Sequence, residues 1–121
     1  MSKRILVVED QEDSRRILRD LLKSADYEIM EADNGEEALT AAAKQRPDLI
    51  LMDIQLPIMD GYEATRRIKA DPTLTHVPVI AVTSYALSAD KAKARAAGCD
   101  DFVPKPYSPR QLLAKIRQLL R

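Results

Sequence analysis

Apolar residues along this chain alternate between two spacings. Short, nearly continuous runs occur at "RILVV" (4–8), "YEIMEA" (27–32), "DLILM" (48–52), "VPVIAV" (77–82) and "DFVP" (101–104), and helical spacing fills the stretches between them. Three of the runs are apolar throughout, as expected of central strands in a parallel sheet covered on both faces. The more alternating second run suits an edge.

The helices have readable ends. Asn34 with Glu37, and Asp60 with Glu63, place a capping side chain three residues before an acid. In "SPRQLLAKIRQLL", Ser108 caps, Pro109 takes the first helical position and Gln111 closes the box. Leu112, Leu113, Ile116, Leu119 and Leu120 then form one apolar stripe. The first helix, about 12–24, is expected to bury Ile17, Leu18, Leu21 and Leu22 on one side. The second is alanine-rich from Ala38 to Ala43, and Pro47 stops it before the third strand. Strand and helix repeated five times imply right-handed crossovers and an α/β, doubly wound sandwich. Sites in such folds form at the carboxyl ends of the strands.

Composition narrows the classes. A chain of 121 residues makes one domain with a core of its own, and no apolar stretch approaches the length of a membrane span. The start, "MSKRILVVED", runs into a strand and not into a secretory core, and the lone cysteine, Cys99, can form no internal disulfide; together these place the protein in the cytoplasm. Lysine plus arginine and aspartate plus glutamate balance at 19 each, which leaves no electrostatic footprint for nucleic acid. Arg15, Arg16, Arg66, Arg67, Lys69, Lys91, Lys93 and Arg95 are interspersed with acids and read as solvated helix faces.

The third run is the informative one, because a strand that apolar ends on a charge, Asp53. Glu9 and Asp10 end the first run in the same way, so neighbouring strands would bring three acids to one edge. Two like charges 4 Å apart cost about 4 kcal/mol at an effective dielectric of 20, so a cation or protons must relieve them. Hard oxygen ligands too few for a complete cage favour Mg²⁺. The fourth strand adds the Thr83 hydroxyl and the fifth the Lys105 ammonium. Acids, a metal, a hydroxyl and a lysine make a phosphoryl site, in which Asp53 is the natural in-line attacker and Glu9 and Asp10 hold the metal.

With "VVED", "DLILMDIQLPIMDG", "AVTSYA" and "VPKP" in this order, the sequence resembles the receiver domain of two-component response regulators over essentially its whole length. "DLILMDIQLP" and the pair Gly98–Cys99 are most similar to the stand-alone, DivK-like branch of these CheY-like domains. The resemblance implies a flavodoxin-like (βα)5 fold with strand order 2-1-3-4-5, and residues 1–121 as one receiver domain without an output domain. It implies that Asp53 accepts a phosphoryl group from a phosphohistidine on a histidine kinase or histidine phosphotransfer protein. Mg²⁺ would be bound by Asp10, Asp53 and the backbone carbonyl of Gln55, and by Glu9 through water. Lys105, before a cis bond to Pro106, would pair with the phosphoryl group, and Thr83 would move to hydrogen-bond it. Phe102 would then change rotamer, although simple core packing explains it as well. Gln55 and Tyr85 would tune phosphoryl lifetime. The face of the fourth helix, fifth strand and fifth helix would meet a downstream protein target, with the kinase docking near the first helix. The protein would be a monomer or a weak phosphorylation-dependent dimer, with no nucleic acid or membrane partner.

Plainer readings stand beside these. His76, in "PTLTHVP", is a loop residue rather than a phosphodonor, Cys99 a small buried side chain, and Gly61 an aid to turning into the third helix. A haloacid-dehalogenase-like phosphohydrolase would also use an aspartyl phosphate, but it needs a second aspartate where Gln55 stands. A nucleotide-binding flavodoxin-like domain lacks its glycine run, since the chain has three glycines.

Overall fold

The computed structural model describes residues 2–83 and 88–120, the side chains of 88–90 excepted. Tyr85 therefore lies outside the described residues. Strands and helices alternate as β1 (Arg4–Val8), α1 (Glu12–Ser24), β2 (Glu28–Ala32), α2 (Gly35–Lys44), β3 (Leu49–Asp53), α3 (Gly61–Ala70), β4 (Val79–Thr83), α4 (Ser88–Ala97), β5 (Asp101–Pro104) and α5 (Pro109–Leu119). All neighbouring strands are parallel, in the order β2-β1-β3-β4-β5.

Alternation along the central strands divides the core in two. Ile5, Val7, Leu49, Leu51 and Ile80 face α1 and α5, where they meet Leu18, Leu22, Leu112 and Ile116. Leu6, Val8, Ile50, Met52 and Val79 face the other way, against Ala38, Ala42, Ala64 and Ile68 of α2 and α3. Small alanines on that side let the helices lie close to the sheet. The polar face of α1 is laced with ion pairs to β2 and within the helix, Arg15 and Arg19 to Glu12 and Glu31, and Arg66 and Arg67 of α3 pair with Glu63. Arg16, Arg66 and Arg67 are exposed, as expected of solvated helix faces, but Arg15 and Lys69 are drawn in: their side chains are 14% and 19% exposed, and Lys69 Nζ donates to the Val77 carbonyl at 2.8 Å and to Asp100 at 3.0 Å.

The sheet has two edges. β2 turns Glu28 and Glu31 to solvent, while β5 is four residues long and ends on Pro104.

Several boundaries moved from their expected places for local hydrogen-bonding reasons. Tyr27 donates to the Leu22 carbonyl and closes α1, so β2 starts one residue later. Val77 donates to Leu74 in the preceding turn and Pro78 has no N–H, so β4 starts at Val79. Asp48 accepts from the Arg4 N–H at 2.7 Å through its side chain. β3 correspondingly runs from Leu49 through Asp53, which is paired in register with Val82 of β4.

Capping is half as reciprocal as the sequence predicts. Asn34 accepts from the Glu37 N–H at 2.9 Å, but the Glu37 carboxylate returns to Asp33 and not to Asn34. Asp60 accepts from the Glu63 N–H, and Glu63 turns instead to its arginines. Ser108 accepts from the Gln111 N–H at 3.4 Å. The expected stripe of α1 is also narrower: Leu18 and Leu22 are buried, whereas Ile17 is 61% exposed at its rim.

Ile58, in the β3–α3 loop, has φ of +70° and is 76% exposed. A β-branched residue in this region is strained by about 1–2 kcal/mol, and here burial recovers nothing. Glycine removes the strain but adds freedom to the unfolded chain. Ile58→Gly is therefore expected to raise stability by about 0.5–1 kcal/mol, read as a higher urea midpoint with unchanged slope.

Candidate functional site at the carboxyl edge of the sheet

β1 and β3 are neighbours, so the residues that end them are forced together. Glu9 continues the pairing of β1, donating its N–H to the Ala32 carbonyl at 3.1 Å. Asp53 is the last residue of β3, and the next N–H, of Ile54, bonds across to Val82. Carboxylate oxygens of Glu9, Asp10 and Asp53 all lie within 4.8 Å of one another. Glu9 and Asp53 are 3% and 6% exposed, while Asp10 is exposed. The cleft they form, about 450 Å³, is also lined by Gln11, Ser14, Gln55 and Lys105.

Lys105 arrives from the loop after β5, held there because its N–H donates to the Thr83 carbonyl at 2.7 Å. The peptide bond that follows, to Pro106, is cis, as the resemblance implied. The ammonium lies 2.9 Å from Glu9 Oε1 and 3.6 Å from Asp53 Oδ2. It favours Glu9, a partner 96 residues away that the sequence reading did not assign to it. The Asp53 carboxylate also accepts from the Gln55 N–H at 3.1 Å, and that of Glu9 from the Gln11 N–H at 3.3 Å.

Charge is divided unequally among the acids. Burial, then the hydrogen bond and charge of Glu9, push Asp53 up to about 7 against the pull of Lys105 and the Gln55 N–H. Burial also works to raise Glu9, but its hydrogen bonds with Asp53 and Lys105 outweigh it and hold Glu9 below the usual range. Asp10 is raised by burial and by Glu9. One proton shared between Asp53 and Glu9 is therefore the metal-free remedy for crowding, and a hard cation is the other. The donor set, carboxylate oxygens beside a backbone turn, fits such a cation.

Thr83 ends β4 as expected, is buried at 1% exposure, and through its carbonyl holds the Lys105 N–H. Phe102 is half-buried against Ile54, Ala81 and Ala94. Beside it is a hollow of about 240 Å³, and the Lys91 Nζ stands 6.0 Å from its ring centre. His76 is exposed in the loop before β4. Cys99 is half-buried, 3.9 Å from the Thr65 hydroxyl, and burial raises its thiol to about 11, which leaves it unreactive at neutral pH.

Gly61 has a different role from the one expected. No positive φ requires it; instead a Cβ there would stand 2.4 Å from the Asp53 carbonyl oxygen and 2.8 Å from Ile54 Cα. Glycine lets the start of α3 pass directly over the end of β3.

A doubly wound parallel sheet of order 2-1-3-4-5 with acids and a lysine gathered at its carboxyl edge is the architecture of a receiver domain. The chain belongs to the response regulator receiver domain family, whose model matches residues 5–117. It is 43% identical over 120 residues to the polar-differentiation response regulator DivK of Brucella anthropi, covering 99% of this chain and 98% of that protein. Among solved structures it resembles the receiver domain of a sensor histidine kinase from Pseudomonas aeruginosa with a magnesium ion coordinated in its active-site cleft. The two are 35% identical, with TM-score 0.92 and 99% and 98% of the chains covered. The chemotaxis protein CheY4 of Vibrio cholerae superimposes with TM-score 0.94 at 28% identity, covering 99% of this chain and 100% of that one. The protein is a two-component signalling receiver rather than a turnover enzyme, and the haloacid-dehalogenase-like alternative finds no support.

Proposed function

We propose that Asp53 is the phosphoacceptor of this receiver, taking the phosphoryl group of a phosphohistidine on a histidine kinase or histidine phosphotransfer protein. The observation that carries this reading is a nearly buried carboxylate at a strand end, with two acids and a lysine ammonium around it and an open cleft in front. An Asp53 oxygen attacks phosphorus, the P–O bond forms as the P–N bond breaks, and the electron pair returns to the imidazole nitrogen. Lys105 holds the developing charge on the transferred oxygens.

Asp10, Asp53 and the Gln55 carbonyl, with Glu9 through water, would hold Mg²⁺. The ion supplies neutralising charge to the phosphoryl oxygens. Thr83 and Lys105 then bond the aspartyl phosphate in one loop arrangement, and Phe102 changes rotamer, which changes the surface of α4, β5 and α5 for a protein target. Gln55, which lines the cleft, tunes the lifetime of the phosphoryl group by controlling how water reaches it. The message is carried by the receiver's own surface, in the cytoplasm, by a monomer or a weak phosphorylation-dependent dimer.

The test is incubation with Mg²⁺ and acetyl phosphate followed by intact mass: one phosphoryl mass is expected, and none in EDTA. A protein that stays unmodified overturns the reading. Cation binding must also displace the proton that Asp53 shares with Glu9. Mg²⁺ affinity measured by calorimetry is therefore expected to fall about tenfold for each pH step of one below about 7, and to level off above it.

A further inference from the structure

Glu9 is tethered through both backbone groups to the end of β2. Its N–H donates to Ala32, and its carbonyl accepts from Arg15 Nη1 at 3.1 Å. The same Nη1 binds Asp33, the residue after Ala32. Glu12 takes Nη2, and Glu31 Oε1 stands 3.2 Å from Nε. The Arg15 side chain is 14% exposed; Nη1 and Nη2 carry its hydrogen bonds, while the buried Nε lies near Glu31 as an ion pair without a hydrogen bond. A planar guanidinium satisfies several acceptors at fixed angles, which an ammonium on a flexible stem cannot do.

We infer that Arg15 is a positioning residue for the divalent cation: by gripping the Glu9 carbonyl and anchoring it to Asp33, it fixes the 9–10 peptide so that both carboxylates face Asp53. The inference rests on the cation-assisted phosphoacceptor reading above. Its sign is distinctive. Arg15 is a cation close to a cation site, so charge alone makes its removal strengthen Mg²⁺ binding, whereas loss of a positioning contact weakens it, typically by 10–100-fold for groups that orient metal ligands. Arg19 supplies the control. It bonds Glu31 at 2.8 and 2.9 Å and Glu12 at 3.3 Å, but among the described residues it is Arg15, not Arg19, that meets the Glu9 carbonyl.

Calorimetric titration of Mg²⁺ into wild type, Arg15→Gln, Arg15→Lys and Arg19→Gln at one pH and ionic strength decides the matter. Arg15→Gln is expected to bind roughly tenfold more weakly, Arg15→Lys to fall between it and wild type, and Arg19→Gln to change less than about twofold. At saturating Mg²⁺, acetyl phosphate should label Arg15→Gln at the wild-type rate, a rescue that a generally damaged fold would not show. Unchanged or tighter binding by Arg15→Gln, equal weakening by Arg19→Gln, or no rescue at saturating Mg²⁺ overturns the inference. If Arg15→Gln does not fold, as judged by circular dichroism, Arg15→Lys carries the same comparison. A wild type that neither binds Mg²⁺ nor takes a phosphoryl group defeats the phosphoacceptor reading instead; a competent wild type with an indifferent Arg15 defeats the positioning role alone.

Discussion

Asp53→Asn is expected to abolish the phosphoryl adduct completely and, without divalent cations, to make the protein more stable at pH 8. The first result follows from removing the attacking oxygen anion. The second follows from linkage. Asp53 is raised to about 7 in the folded chain from an unfolded value of 3.8, mainly by burial and then by Glu9. The native state therefore binds its proton more tightly than the unfolded state does. The stability this represents is fully present below about 4 and is lost as pH rises through about 7, so above neutrality the folded protein carries an ionised, crowded carboxylate at a cost of a few kcal/mol. Glu9 has the opposite sign: its depressed value contributes stability above the ordinary glutamate range, lost only in acid. Asparagine keeps the shape of Asp53 without its charge and leaves the Glu9–Lys105 pair in place. Thermal unfolding in EDTA should show the variant ahead of wild type by a margin that widens from pH 5 to pH 8. A margin that stays constant across that range contradicts the shared-proton picture.

Gly61→Ala is expected to be the most damaging alanine substitution among the three glycines. The new Cβ would meet the Asp53 carbonyl oxygen and Ile54 Cα, both backbone, and Gly61 is pinned there because its N–H donates to the Ile54 carbonyl at 3.0 Å. Neither side can yield by rotating a side chain, so α3 must back away from β3. Overpacking of this kind costs about 2–3 kcal/mol, or roughly 10 °C in Tm for a chain of this size. The displacement falls on Asp53 itself, so labelling by acetyl phosphate should slow at least tenfold even below the melting transition. A variant within about 0.5 kcal/mol of wild type by chemical denaturation would show that the backbone has room.

Much of this was legible in the amino-acid order. Runs such as "RILVV" and "DLILM" point to buried strands because they are short, β-branched-rich or fully apolar, and flanked by helical spacing, and the several polar residues that close such runs point together to a site. What could not be read are contacts whose partners share neither element nor period. The grip of Arg15 on Glu9 depends on how far α1 lies from the end of β2, and a helical wheel records only that Arg15 is polar. Gly61 looked like a turn residue because spacing shows which residues follow one another and not which backbones cross. The reciprocal arms of the capping boxes failed for a related reason: Glu63 had two arginines within reach, and ionic partners outcompeted a single backbone N–H.

The two flanks of the sheet also bear on how such a protein can speak to others. On one flank Glu28 and Glu31 point outward from a strand already engaged with arginines, and on the other the strand is four residues long and closes on a proline that has no N–H to offer. Neither offers a template for β-augmentation, in which a partner's backbone zips onto an open rim. A partner that reads this chain through helix faces, loops and the side chains of β5 draws its selectivity from residue identity rather than from main-chain pairing, and the same arrangement disfavours rim-to-rim self-association.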